Sequence, residues 1–151
     1  MTEHGTKMEM AAELFRIRLS YDRFITPIVS DVGLTEGTAA LLHIISSCSE
    51  PTVKTVVEEL ELNQGNASTM CKRLEQLGYI IRKKNKTDER SVTLEVTDAG
   101  REVLRLIGNN INRFLSEQMS EGDIAAVQNA SATLSECFGK LAMRRNRSKN
   151  A

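Results

Sequence analysis

The stretch from Leu62 to Val96 limits the possible folds of this chain more than any other. Its first part, Leu62-Asn63-Gln64-Gly65-Asn66-Ala67-Ser68-Thr69-Met70-Cys71-Lys72-Arg73-Leu74-Glu75-Gln76-Leu77-Gly78, has a small polar front and an apolar stripe at Ala67, Met70, Leu74 and Leu77. Steps of three and four place that stripe on one side of a helix, Asn63 is a good N-cap, and Gly78 is a natural stop. Tyr79 to Lys84 and Ser91 to Val96 then have the β-branched content and alternation of two strands, with Val92, Leu94 and Val96 on one face. A charged turn, Asn85 to Arg90, joins them. The order is helix, strand, basic loop, strand. It matters because a helix fits the major groove of DNA while a neighbouring ribbon reaches the adjacent backbone or minor groove.

The flanking sequence predicts further helices. Residues 1–7 are expected to be disordered. From Met8, Leu14, Ile17, Tyr21, Phe24 and Ile28 recur at helical steps, and Gly33-Leu34 closes the run. Thr35 reads as the N-cap of a second helix, Thr38 to Ser46, and Thr52 as the cap of a short third, Val53 to Leu60. Thr97 opens a fifth helix with Val103, Ile107, Ile111 and Phe114 on one side. Ser120 and Asp123 form a capping signal for a sixth, whose seam is Ile124, Val127, Ser131, Leu134, Phe138 and Leu141. Three long helices with apolar faces cannot all pack on one small head, so burial against each other or against a second subunit is expected.

Composition narrows the function. The chain has 151 residues, about one domain, and at 40% hydrophobic and 26% charged it reads as globular. The Ala39-Ala40-Leu41-Leu42 run is far shorter than the roughly 18 residues of a membrane span, and no apolar signal region opens the chain. Three cysteines, Cys48, Cys71 and Cys137, show no CxxC spacing and fit reduced thiols in a cytoplasm. Net charge is zero, yet Gln64 to Val92 holds seven basic residues against three acidic ones, and Arg144, Arg145, Arg147 and Lys149 cluster in the tail. A local basic patch is the electrostatic footprint of nucleic-acid binding, although charge alone equally describes a solvated face. No nucleophile–base pair, phosphate loop or paired acids stand out, so an enzyme is not expected, nor is any cofactor.

Candidate DNA contacts are Gln64, Gly65, Asn66, Ser68, Thr69, Lys72 and Arg73 on the helix. Gln and Asn can pair bidentately with adenine, and Ser and Thr reach bases or phosphates; the bland alternative is an ordinary solvated face. In the ribbon, Lys83, Lys84 and Lys86 suit phosphates, and Arg90 suits a narrow minor groove, with Asp88 positioned to hold its guanidinium. His4 and His43 form no metal cluster, and His43 on an apolar face reads as a packed core residue.

Together these segments resemble the MarR (multiple antibiotic resistance regulator) family of winged helix-turn-helix transcription factors over about residues 8–145. The resemblance is carried by Leu34-Thr35, by Arg73-Leu74-Glu75-Gln76-Leu77-Gly78-Tyr79-Ile80, by Asp88-Glu89-Arg90, and by Leu94-Glu95-Val96-Thr97-Asp98-Ala99-Gly100-Arg101. Gly65 and Asn66 stand where the family usually has Ser or Thr. The resemblance implies a mainly α fold with a small β wing: one domain whose winged head, residues 35–97, lies between dimerisation helices at 8–32 and 98–145. It implies a cytoplasmic homodimer that binds a pseudo-palindromic double-stranded operator and represses. It also implies an effector crevice between the end of the first helix, the second helix and the start of the fifth. Arg16, Arg18, Tyr21 and His43 fall near that region, which suggests a small aromatic or amphipathic effector, such as an aromatic acid held by an Arg. Two alternatives stay open: a redox-responsive regulator acting through Cys71 or Cys137, and a winged-helix protein-interaction module that never touches DNA.

Overall fold

The computed structural model describes residues 3–84 and 92–149, with side chains over 7–84 and 92–140. The order is α1 (Glu3–Ser30), α2 (Glu36–Ser47), α3 (Val53–Leu60), α4 (Gln64–Gln76), β1 (Ile80–Lys84), β2 (Val92–Val96), α5 (Asp98–Gln118) and α6 (Glu121–Lys149). The strands pair antiparallel, Ile80 opposite Val96 and Lys84 opposite Val92. Two compact units divide the chain, Met1–Ile111 and Asn112–Ala151, with the boundary inside α5.

The core of the first unit is aliphatic, as a chain without Trp requires. Leu41 and Leu42 from α2, Val56 from α3, Ala67, Cys71 and Leu74 from α4 and Ile80 from β1 are all fully buried, and Val29 of α1 joins them. The spacing of each set explains its element. Leu41, Leu42 and Ile45 form one stripe of α2, while Ala67, Cys71 and Leu74 form one stripe of α4.

Threonine pairs fix the starts of α2 and α3. Thr35 accepts a bond from the Thr38 amide while Thr38 accepts one from the Thr35 amide, and Thr52 and Thr55 repeat the exchange. Helix α2 therefore starts at Glu36, two residues before the expected Thr38, because Thr38 closes the capping box as the third residue of the helix rather than the first. Helix α1 also starts earlier than expected, at Glu3. Its buried face is Ile25 and Val29, with Phe24 and Ile28 half-buried, whereas Ile17 and Tyr21 of the predicted stripe are 52% and 46% exposed.

The root of the ribbon is bound from several sides. Helix α4 ends in a Schellman closure: the Tyr79 amide bonds the Leu74 carbonyl at 2.9 Å and the Gly78 amide bonds Glu75 at 3.0 Å, with Gly78 at φ +75°. The Leu94 amide bonds the Pro51 carbonyl at 2.7 Å, which ties β2 to the turn before α3. Thr97 donates its hydroxyl to the Gly78 carbonyl at 2.6 Å and accepts the Gly100 amide at 3.1 Å, so one side chain caps α5 and holds the end of α4. Arg101 then reaches back to the Val96 carbonyl at 2.7 Å. Leu94 and Val96 are buried as expected, while Val92, at the far end of the same face, is 39% exposed.

Candidate nucleic-acid interface

Once the Ala67, Cys71 and Leu74 stripe is buried, the opposite side of α4 has to face outward. Gln64, Gly65, Asn66, Ser68, Thr69, Lys72 and Arg73 are all exposed, as the sequence predicts. Asn63 uses its carbonyl to cap the Asn66 amide at 2.8 Å, and Thr69 donates its hydroxyl to the Gly65 carbonyl at 3.0 Å. The front of the helix is thus a polar surface without a large exposed apolar side chain.

The basic strand residues are not all bare. Arg82 pairs with Glu75 at 3.2 Å, tying β1 to α4, and Lys83 pairs with Glu95 across the ribbon. Both pairs are solvent-exposed, where an ion pair contributes about 0–1 kcal/mol, so exchanging a carboxylate for a phosphate costs little. Lys84 is exposed. Lys86, Asp88 and Arg90 lie outside the described residues.

A crevice of about 350 Å³ opens between α1, α2 and the first half of α5. Ile25, Val29, Leu104, Ile107 and Ile111 supply apolar walls, and Tyr21, Glu36 and His43 supply the polar side chains. Of the residues that the resemblance places near an effector site, Tyr21 and His43 line this crevice. Arg16 and Arg18 do not line the crevice: Arg16 turns back along α1 to Glu13 at 2.9 Å, and Arg18 runs forward to Asp22 at 4.0 Å. His43 is exposed at the crevice rather than packed in the core. Glu36 was missed, because an acid after an N-cap has a sufficient role in complementing the helix dipole. Burial pushes the Tyr21 phenol above its usual range, and the charge of Glu36 and a hydrogen bond with it push the same way.

Residues 23–107, more than half of the chain, match the family model described as transcriptional regulator SarA/Rot. The chain belongs to the SarA/Rot family of transcriptional regulators. It is a DNA-binding regulator with a MarR-type winged helix, from a family of regulators rather than enzymes. It is 27% identical to the regulator MgrA of Staphylococcus aureus over 115 residues, 76% of this chain and 78% of that one. Two solved structures share its fold. An E. coli MarR mutant in complex with operator DNA has a TM-score of 0.70 at 17% identity, covering 89% of this chain and 99% of that one. A Staphylococcus aureus MarR in complex with salicylate and kanamycin has a TM-score of 0.75 at 16% identity, covering 89% and 93%.

In this SarA/Rot regulator the cysteines divide by burial. Cys71 is fully buried, and desolvation raises its pKa against the opposing pull of Arg82, which keeps the sulfur as a weakly nucleophilic thiol. Cys71 is thus a small core hydrophobe. Cys48 is half-buried and Cys137 exposed. Among the described residues no group of three or more His, Cys, Asp or Glu is placed to hold a metal ion. No described helix is long and apolar enough to cross a membrane.

Proposed function

We propose that this regulator works in the cytoplasm as a homodimer on a pseudo-palindromic operator, represses the adjacent gene, and is released by a small amphipathic molecule in the α1–α2–α5 crevice. The observation that carries the DNA reading is the polar front of α4, exposed over Gln64 to Arg73, beside a ribbon bearing Lys83 and Lys84. Gln64 and Asn66 are the base-reading candidates; Gly65 lets the backbone approach closely; Ser68, Thr69, Lys72 and Arg73 suit the phosphates around them. Lys86 and Arg90, with Asp88 as support, extend the proposal from sequence into the wing. The fold-related E. coli MarR described as bound to operator DNA supports this reading.

Dimerisation is supported by exposed apolar side chains on the long helices. Met8, Met10, Phe15 and Ile17 on α1, Leu106 on α5, and Val127, Leu134 and Phe138 on α6 are 39–71% exposed, and large apolar side chains left in water on long helices are the material of a protein interface. The crevice, with aliphatic walls and few polar groups, has the makeup of a small-molecule site, and a fold relative is described with salicylate and kanamycin. Release then requires the ligand to prefer a head spacing that misfits the operator, since a ligand shifts an equilibrium only by its differential affinity. The direct test is selection of bound fragments from genomic DNA by the purified protein. Recovery of a common two-fold motif supports the reading; recovery of unrelated sequences contradicts it.

A further inference from the structure

The crevice's own charge says which ligands it favours, given that it is the effector site. Among the described residues its charged-type polar groups are Glu36 and His43, both on α2, and none of those lining it is Lys or Arg. Ala39, Ala40 and His43 lie three, four and seven residues after Glu36, so Glu36 stands at one end of a small-residue floor and His43 at the other. Glu36 is the first residue of α2, at the positive end of the helix dipole. Tyr21 lines the crevice with Glu36 and is about half exposed. The opposite wall opens at Gly108, where an added Cβ would meet nothing within 4 Å.

We infer that this crevice selects an amphipathic organic cation, its ammonium held by Glu36 and its apolar body against Ile25, Val29 and Ile107, in preference to the aromatic acid that the sequence suggests. An acid in the same pose would set its carboxylate against Glu36, with Arg16 and Arg18 engaged elsewhere on α1. A cation gains a carboxylate partner where an acid meets a like charge.

The test uses three ligands of nearly one shape: 1-naphthylmethylamine, 1-naphthylmethanol and 1-naphthoate, each titrated into the full chain at pH 8 and followed by naphthyl fluorescence. The amine should bind at least about tenfold more tightly than the naphthoate, a difference of about 1.4 kcal/mol. Glu36→Gln should lower amine affinity to that of the alcohol, and Gly108→Leu, which fills the crevice from its open wall, should weaken all three. Naphthoate binding as tightly as the amine, binding of none, or an amine preference that survives in folded Glu36→Gln overturns the inference. The wild-type series alone decides the charge preference if that variant does not fold. Operator affinity measured on the same preparations separates the two readings. Amine-selective binding that leaves DNA affinity unchanged defeats the effector assignment but not the charge selectivity, whereas DNA release by naphthoate alone defeats the selectivity but not the effector assignment.

Discussion

A methyl group at Gly100 would lie 2.2 Å from the Tyr79 carbonyl oxygen and 2.8 Å from Val96, so the start of α5 can approach the ribbon only because no side chain is there. The oxygen belongs to a backbone that is already fixed, since the Thr97 amide bonds it at 3.0 Å. Gly100→Ala is therefore expected to destabilise the fold by about 1–3 kcal/mol or more, read as a lower urea midpoint. Gly108 is the opposite case: its site is open, so Gly108→Ala should raise stability by about 0.5–1 kcal/mol through helix propensity alone. A lower midpoint for Gly108→Ala would mean that the position is tightly packed. At this scale the sequence was informative where a residue has one dominant use. Asn63, Thr52 and Gly78 act as the caps and stop that their types suggest. It was less informative where a residue has two uses: Thr97 read as a helix cap, yet its bond to Gly78 depends on a contact 19 residues away. Glu36 and the turned-away Arg16 and Arg18 depended in the same way on rotamers and neighbours that spacing does not encode.

Among the elements, α4 and the ribbon should contribute to DNA binding in different ways. Asn66→Ala should change base preference, at about 1–3 kcal/mol for a lost bidentate contact. Lys84→Ala should instead weaken binding on every sequence alike and lower the salt slope by about one phosphate. Equal losses on all sequences from both variants would show that Asn66 does not read bases. Helix α6 allows a separate test. Asp123 accepts bonds from the Ser120 amide at 3.1 Å and from the Ser120 hydroxyl at 2.6 Å, and these hold its carboxyl below the usual range. A depressed folded-state pKa gives stability that is present above the unfolded value, about 3.9, and is lost as pH falls through the lower folded value. The N-terminus of α6 should therefore lose amide-exchange protection in acid below about pH 4, and Asp123→Asn should remove that pH dependence. The elements themselves were legible because burial here follows period: α3 and the strands lie within a residue or so of expectation. The face of α1 was harder to read. Its apolar residues run nearly all round, and which of them met the head was decided by α2 and α5.

For the whole molecule, the exposed apolar residues of α1, α5 and α6 carry the case for a dimer, as their apolar faces did in the sequence. Deleting residues 120–151 should give aggregated or unfolded protein, because apolar surface that the terminal helices cover in the dimer would then meet water. A soluble, folded monomer from that truncation would remove the case for dimerisation through these helices. The family and the winged head were readable from the ordered set of Thr35, Gly78, Leu94, Thr97 and Gly100, since each holds a junction of the head. The charge preference proposed for the α1–α2–α5 crevice was not, because it turns on which side chains line it. The central claim is a two-fold dimer reading DNA through paired winged heads, and footprinting of a selected operator across a salt series tests it most directly. The account predicts two symmetric protected half-sites about 10 bp apart, centre to centre, with affinity falling steeply as salt rises because several phosphates are contacted on each half. A single asymmetric footprint, or an affinity that does not respond to salt, would contradict it.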